Sequence, residues 1–182
     1  MRVSATTLPE VLLLEPPVFR DARGLFLETY HAERYRACGI ADSFVQDNIS
    51  WSEPGVLRGL HLQRGEFAQG KLVQVLAGAV WDVAVDVRPD SPTFGQWVGE
   101  VLSAENARQL YIPPGFAHGF VVLSERSLFV YKCTKPYHKA SELAIRWNDA
   151  DLAISWPVAS PLVSEKDAAG LSLQDAIPLL RS

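Results

Sequence analysis

The run Val80-Trp81-Asp82-Val83-Ala84-Val85-Asp86-Val87-Arg88 decides the architecture of this chain. Trp81, Val83, Val85 and Val87 alternate with Asp82, Ala84, Asp86 and Arg88. A period of two belongs to a strand, whose successive side chains point to opposite faces. Lys71 to Leu76, Gln109 to Ile112, Ala117 to Leu123, Leu128 to Thr134 and Leu143 to Trp147 read as further strands. Turn signals separate them: Asp21-Ala22-Arg23-Gly24, Glu53-Pro54-Gly55, Ala77-Gly78, Pro89-Asp90-Ser91-Pro92 and Pro113-Pro114-Gly115. Short strands between regular turns describe a sandwich or barrel. Helical pattern is confined to Ala32–Cys38 and the tail, where Ser164-Glu165-Lys166-Asp167 has the form of a capping box. The fold class predicted is all-β: an antiparallel jelly-roll barrel with short helices, including a small C-terminal helical segment.

The 182 residues suit one domain, 1–182, with a core of its own. Apolar residues make up 48% and charged residues 21%, a balance that describes a globular protein in water. A formal net charge of −4 with no Lys/Arg block argues against nucleic acid as a partner. Cys38 and Cys133 are far apart and form no C-x-x-C, so two free thiols in a reducing cytosol are expected. Val11 to Leu14 is too short to span a bilayer, and the N-terminus has no signal-peptide pattern. The expectation is a cytoplasmic protein without a membrane partner.

Chemistry concentrates in Gln46-Asp47-Asn48-Ile49-Ser50 and in Val56-Leu57-Arg58-Gly59-Leu60-His61-Leu62-Gln63. Polar groups pointing into an interior cost free energy unless something pairs them, and a bound polar ligand is one such partner. Strict alternation would put His61 and Gln63 on one face and Arg58 on the other. Arg58 and His61 share a pocket only if the backbone bulges near Gly59 or the strand ends there. Gln46, Asn48 and Ser50 alternate onto one face, as do Lys71, Val73 and Val75, and Tyr131 shares a face with Phe129 and Cys133. A lone His or Tyr in a strand is usually a satisfied core residue, and a lysine opening a strand is usually solvated. Their coincidence in one barrel interior instead suits a base working on a polar, anionic small molecule.

Pro113-Pro114-Gly115-Phe116-Ala117-His118 has the P-x-G-x-x-H spacing of the second cupin motif, in which a turn delivers a histidine onto an inward-facing strand. Metal-binding cupins also carry an H-x-H and a glutamate. Here that strand reads His61-Leu62-Gln63, and only His31 and His138 remain, so no metal site is expected.

With these motifs in hand, the chain resembles the dTDP-4-dehydrorhamnose 3,5-epimerases, metal-free cupins of nucleotide-sugar metabolism. The resemblance runs from about Phe19 to Asp167. It includes Asp21 to Glu28, Gln46-Asp47-Asn48, Leu57 to His61, Lys71-Leu72-Val73, Asp82 to Arg88, Ser91 to Gly95, Tyr131-Lys132-Cys133, Trp147-Asn148-Asp149 and Ser164 to Asp167.

The resemblance implies a cupin-type barrel acting on a dTDP-linked 4-keto-6-deoxy sugar, whose C3 and C5 hydrogens both lie α to the C4 ketone. The expected reaction epimerises dTDP-4-dehydro-6-deoxy-D-glucose at both carbons, on the route to dTDP-L-rhamnose. By analogy His61 is the base, Asp167 holds its imidazole, Tyr131 donates a proton on the opposite face and Lys71 stabilises the oxyanion at C4. Arg23, Arg58 and His118 would surround the diphosphate and sugar. Gln46 and Asn48 would read sugar or phosphate oxygens. Phe26, Glu28, Glu142 and Lys166 would help hold the nucleotide, and Tyr137 would pack on the sugar or thymine. No cofactor is implied, because the ketone already acidifies both carbons. The family also implies a homodimer whose N-terminal strands cross between subunits.

Leu62 replaces a usual aromatic, Trp51 a residue often basic, and Arg64-Gly65-Glu66 a Pro-rich turn. All three lie near the His61 strand and bear on pocket shape. The alternatives are an epimerase acting at C3 or C5 alone, a metal-dependent cupin oxygenase or isomerase, and a cupin that binds sugar without catalysis.

Overall fold

The computed structural model describes residues 1–181. Its elements, in chain order, are β1 (Arg2–Ala5), β2 (Leu12–Glu15), β3 (Val18–Asp21), β4 (Gly24–Leu27), α1 (Ala32–Ala37), β5 (Gln46–Ser52), β6 (Leu57–Gln63) and β7 (Lys71–Ala77). There follow β8 (Ala79–Asp86), β9 (Trp97–Ser103), β10 (Gln109–Ile112), β11 (Phe116–Val122), β12 (Ser127–Cys133), β13 (Glu142–Ala144), α2 (Glu165–Ala168) and α3 (Leu173–Leu180).

One sheet has six strands in the order β1-β2-β10-β7-β12-β5, and a second has five in the order β13-β6-β11-β8-β9. The hairpin β3–β4 forms a two-stranded sheet of its own. Every strand pairing within the sheets is antiparallel. The barrel predicted from turn spacing is therefore present, built as two facing sheets.

Between the sheets lies a core that includes Val73, Val75, Leu110 and Phe129 from one side and Val80, Ala84, Phe116 and Phe120 from the other. The alternation of β8 is real, but both of its faces are buried. Val80, Asp82 and Ala84 look into the barrel, while Val83 and Val85 turn outward and are covered by the tail through Leu152, Leu173 and Ala176. Each such valine contributes roughly 1.5–3 kcal/mol by leaving water. The outer face of the six-stranded sheet is covered near α1, where Tyr35 and Ile40 pack on Leu14, Leu72 and Tyr111.

Two strand ends differ from expectation by more than one residue. β8 stops at Asp86 rather than Arg88, because the Asp86 carboxylate accepts from the Arg88 backbone N–H at 3.0 Å and from its guanidinium at 2.7 and 2.9 Å. β13 stops short of Trp147, because after Ile145 exchanges hydrogen bonds with Leu60 in the same register, Arg146 donates to Leu171 of the tail instead of continuing along β6. The tail is helical, and α2 begins where the Ser164 signal placed it. Ser164 caps α2 and Ser172 caps α3, each accepting a backbone N–H at 3.1 Å. Both cysteines are free. Among the described residues no helix is long and apolar enough to cross a membrane.

Asp86 yields an acid-stability prediction. Burial disfavours its charged form, but hydrogen bonds from Arg88, Ser91 and Thr93 outweigh that and bring its pKa down to about 2. A depressed carboxylate stabilises the fold above its unfolded pKa and loses that contribution as pH falls through the folded value. We expect about 2 kcal/mol to disappear between the ordinary aspartate range and pH 2. In urea titrations Asp86→Asn should lower stability at pH 7 and flatten the loss in that acid window. An unchanged acid profile would contradict this assignment.

Candidate active site

The cavity opens between the sheets and is set by an irregularity in β6. His118 of β11 faces His61, whereas Phe120, two residues on, faces Arg58, three residues back. One extra residue on β6 breaks strict alternation, so Arg58 and His61 both line the same cavity. Gly59 makes the bulge possible. Its φ is +133°, and a Cβ there would stand 2.5 Å from the Gly119 Cα.

The cavity holds about 610 Å³ and is lined by Arg58, His61, Lys71, His118, Tyr131 and Asp167, among others. His61 Nε2 lies 2.7 Å from Asp167 Oδ1. The other oxygen of Asp167 accepts from the Gly59 N–H at 3.2 Å, and Ser164 holds the Asp167 backbone. Burial works against the Asp167 carboxylate, but His61, Gly59 and Ser164 together hold its pKa below the usual value. The segment carrying Asp167 is fixed at both ends by parallel bridges, Val56 to Leu162 and Ile145 to Leu171.

Across the cavity, Tyr131 on β12 and Lys71 on β7 come from the opposite sheet. Burial pushes the Tyr131 phenol up, which keeps its proton on at neutral pH. Lys71 is buried, and burial lowers its pKa against the opposing pull of Cys133, Asp82 and Glu142. Its Nζ donates to the His61 carbonyl at 3.3 Å, which leaves donors for a ligand. Arg58 Nε donates to Ser52 Oγ at 3.1 Å. His118 Nε2 lies 2.9 Å from Asp82 Oδ2.

A second recess of about 280 Å³ shares His61, Lys71 and Tyr131 and adds Gln46, Asn48, Tyr137 and Glu142. Glu142 links Lys166, at 2.5 Å, to the Tyr137 hydroxyl, at 3.0 Å. Gln46 donates to Asn48 at 3.0 Å and accepts from the Tyr137 N–H at 2.8 Å.

Eleven of the fourteen residues singled out from the sequence thus meet around one space. The other three do not. Arg23 and Phe26 line a separate surface depression on the β3–β4 hairpin, where Arg23 pairs with Asp21 at 2.6 Å. Glu28, just beyond the hairpin, pairs with Arg34 at 2.7 Å. Sequence reasoning about sites missed Asp82, Ser52 and Ser164. The inward row of β8 could have pointed to Asp82 and the capping pattern to Ser164, but Ser52 carries no signal without the structure. Among the described residues no three His, Cys, Asp or Glu side chains gather in a way that could hold a metal ion.

A cupin barrel that puts an imidazole on one sheet, braced by a carboxylate from a tail helix, and a phenol with a buried ammonium on the other belongs to the class of sugar epimerases. The sequence profile of the dTDP-4-dehydrorhamnose 3,5-epimerases matches residues 5–175, and the chain belongs to that family. It is 56% identical over 179 residues to the Salmonella typhimurium dTDP-4-dehydrorhamnose 3,5-epimerase, covering 97% of this chain and 98% of that one. It is also similar to the dTDP-6-deoxy-D-glucose-3,5-epimerase of Legionella pneumophila, solved in complex with dTDP-4-keto-L-rhamnose. That likeness has a TM-score of 0.92 and 54% identity, and covers 95% of this chain and 93% of the other. A 3′-monoepimerase from Streptomyces bikiniensis, solved with dTDP-quinovose, shares the fold at a TM-score of 0.90 and 32% identity, over 96% and 89% of the two chains.

The bulge gives a direct test. Gly59→Ala forces a Cβ against the β11 backbone and should cost about 1–3 kcal/mol. Thermal melts should show the loss. A variant as stable as the parent would mean that the two backbones are not held so closely.

Proposed function

We propose that the cavity takes dTDP-4-dehydro-6-deoxy-D-glucose and inverts C3 and C5, giving dTDP-4-dehydro-L-rhamnose. The observation that carries this reading is the opposition of His61 and Tyr131, which stand on facing sheets with room for a sugar ring between them. His61, steadied by Asp167, removes a proton α to the ketone. The electron pair moves onto the C4 oxygen, where Lys71 meets the developing charge. Tyr131 then delivers a proton to the opposite face of the same carbon. One well-placed oxyanion donor is worth roughly 3 kcal/mol and each acid–base step about 10²–10⁴ in rate. Arg58 supplies the paired donors that a diphosphate needs. The recess with Gln46, Asn48, Tyr137 and Glu142 offers amides and an aromatic ring for the rest of the nucleotide.

The reading also calls for a second copy of the chain, in the cytoplasm. The β3–β4 hairpin leaves Phe19 61% and Phe26 68% exposed, and it carries Arg23 away from its own cavity. A homodimer in which this N-terminal hairpin crosses to the partner's cavity uses Arg23, Phe26 and Glu28 there. Sedimentation should find a dimer, and Arg23→Ala should weaken substrate binding. A fully active monomer would remove the crossing.

Turnover in D₂O with chelator present tests the chemistry. Deuterium should appear at both C3 and C5. Label at one carbon would assign the protein to the mono-epimerases instead. His61→Ala should lose at least about 10²-fold in kcat while remaining folded. Tyr131→Phe should still exchange hydrogen, since the base can return a deuteron to the face it took the proton from, but it should not invert configuration. Wild-type epimerisation by either variant would overturn the assigned roles.

A further inference from the structure

We propose that Asp82 is a positioning residue that acts through His118, fixing the ring so that His118 Nδ1 accepts a hydrogen bond from a hydroxyl of the substrate's sugar. This rests on the reading of the cavity as a dTDP-sugar site.

Asp82 is wholly buried, in an inward row whose neighbours Val80 and Ala84 belong to the apolar core. A carboxylate there is costly to desolvate and is a poor device for stability alone. One of its oxygens, Oδ2, lies 2.9 Å from His118 Nε2. The other, Oδ1, is buried with no hydrogen-bond partner. His118 is itself buried, and its ring lies 21° from the plane of Phe129 at a centroid distance of 6.0 Å. It is therefore held by an aromatic wall and by one charged acceptor.

A carboxylate accepts only, so Nε2 must carry a proton to meet it. In a neutral ring, Nδ1 is then left with a lone pair and no hydrogen. His118 lines the cavity, and with Nε2 committed to Asp82, Nδ1 is the nitrogen left for a ligand. The charged groups that act on the ring are Asp82, Lys71 and His61. Burial is the strongest influence and favours the neutral ring, with Lys71 and His61 adding to it and Asp82 opposing. A neutral imidazole with a bare nitrogen repels a phosphate oxygen and accepts from a hydroxyl. Of the diphosphate and sugar that the resemblance put around His118, a bare Nδ1 thereby selects the sugar. The same logic holds for metal-bound and catalytic histidines, whose free nitrogen is specified by what the other one touches.

The experiment compares two ligands by calorimetry. One is dTDP, which carries the diphosphate without a hexose, and the other is dTDP-L-rhamnose, which adds the sugar hydroxyls. Asp82→Leu should weaken dTDP-L-rhamnose about fivefold to tenfold, the worth of one neutral hydrogen bond, and leave dTDP unchanged. Asp82→Asn, whose amide oxygen can still accept from Nε2–H, should restore most of the loss. An equal loss for both ligands would assign His118 to the diphosphate and overturn the proposal. Nitrogen-15 spectra of the wild-type protein bound to dTDP-L-rhamnose need no variant to fold. They should show His118 protonated at Nε2 and bare at Nδ1 at neutral pH. A proton on Nδ1 would refute the proposal even if the affinities followed it. If wild-type protein bound neither ligand, the dTDP-sugar reading itself would fall, which is a different result from a change in selectivity between the two.

Discussion

The close approach of β6 to β11 at Gly59 and Gly119 governs everything around the cavity. With no side chain on either residue, the two backbones come near enough for β6 to carry an extra residue and still pair on both sides of it. That one residue decides which side chains face inward. Without it, Arg58 and His61 would stand on opposite faces of the sheet, and the positive charge suited to phosphate would be separated from the base. The Gly59 N–H also reaches Asp167 Oδ2. The bulge thus shapes β6 and grips the carboxylate that orients His61.

Much of the barrel was legible in the sequence because turns and alternation are local signals. Gln109–Ile112 falls on β10 residue for residue, and the strands around Lys71, Ala117 and Leu128 shift by one residue or so at their ends. The ends that moved most did so for two different reasons. The Asp86 carboxylate takes the Arg88 backbone N–H two residues on, a local turn that the alternating pattern masks, whereas Arg146 leaves the β6 ladder to donate to Leu171 of the tail. Only the second has no trace in local composition. The two-sided burial of β8 was likewise hidden, since a strand covered on one face by a distant tail reads the same as one facing water.

The candidate site divides along the same line. A bulge at Gly59 could be anticipated from residue spacing, because Arg58 and His61 make chemical sense together only if the strand is irregular. The pairing of His61 with Asp167, 106 residues apart, could come only from family resemblance or from structure. Asp82 was visible as part of an alternating pattern, but pattern alone cannot tell a solvated aspartate from one sealed beneath a histidine. Arg23, Phe26 and Glu28 lie away from the cavity of their own chain, and nothing in their local composition sets them apart from the residues that line it.

The two parallel bridges that fasten the Asp167 segment also bear on when a newly made chain becomes competent. His61 is synthesised 106 residues before Asp167, which is placed only when Leu162 meets β6 and Leu171 meets the strand after Glu142. A domain generally folds as a unit. Until the segment from Leu162 to Leu171 has joined the barrel, His61 lacks the carboxylate that orients it. The completed tail closes the outer face of β8 and arms the base in the same event, so a truncated product would be both unstable and chemically silent.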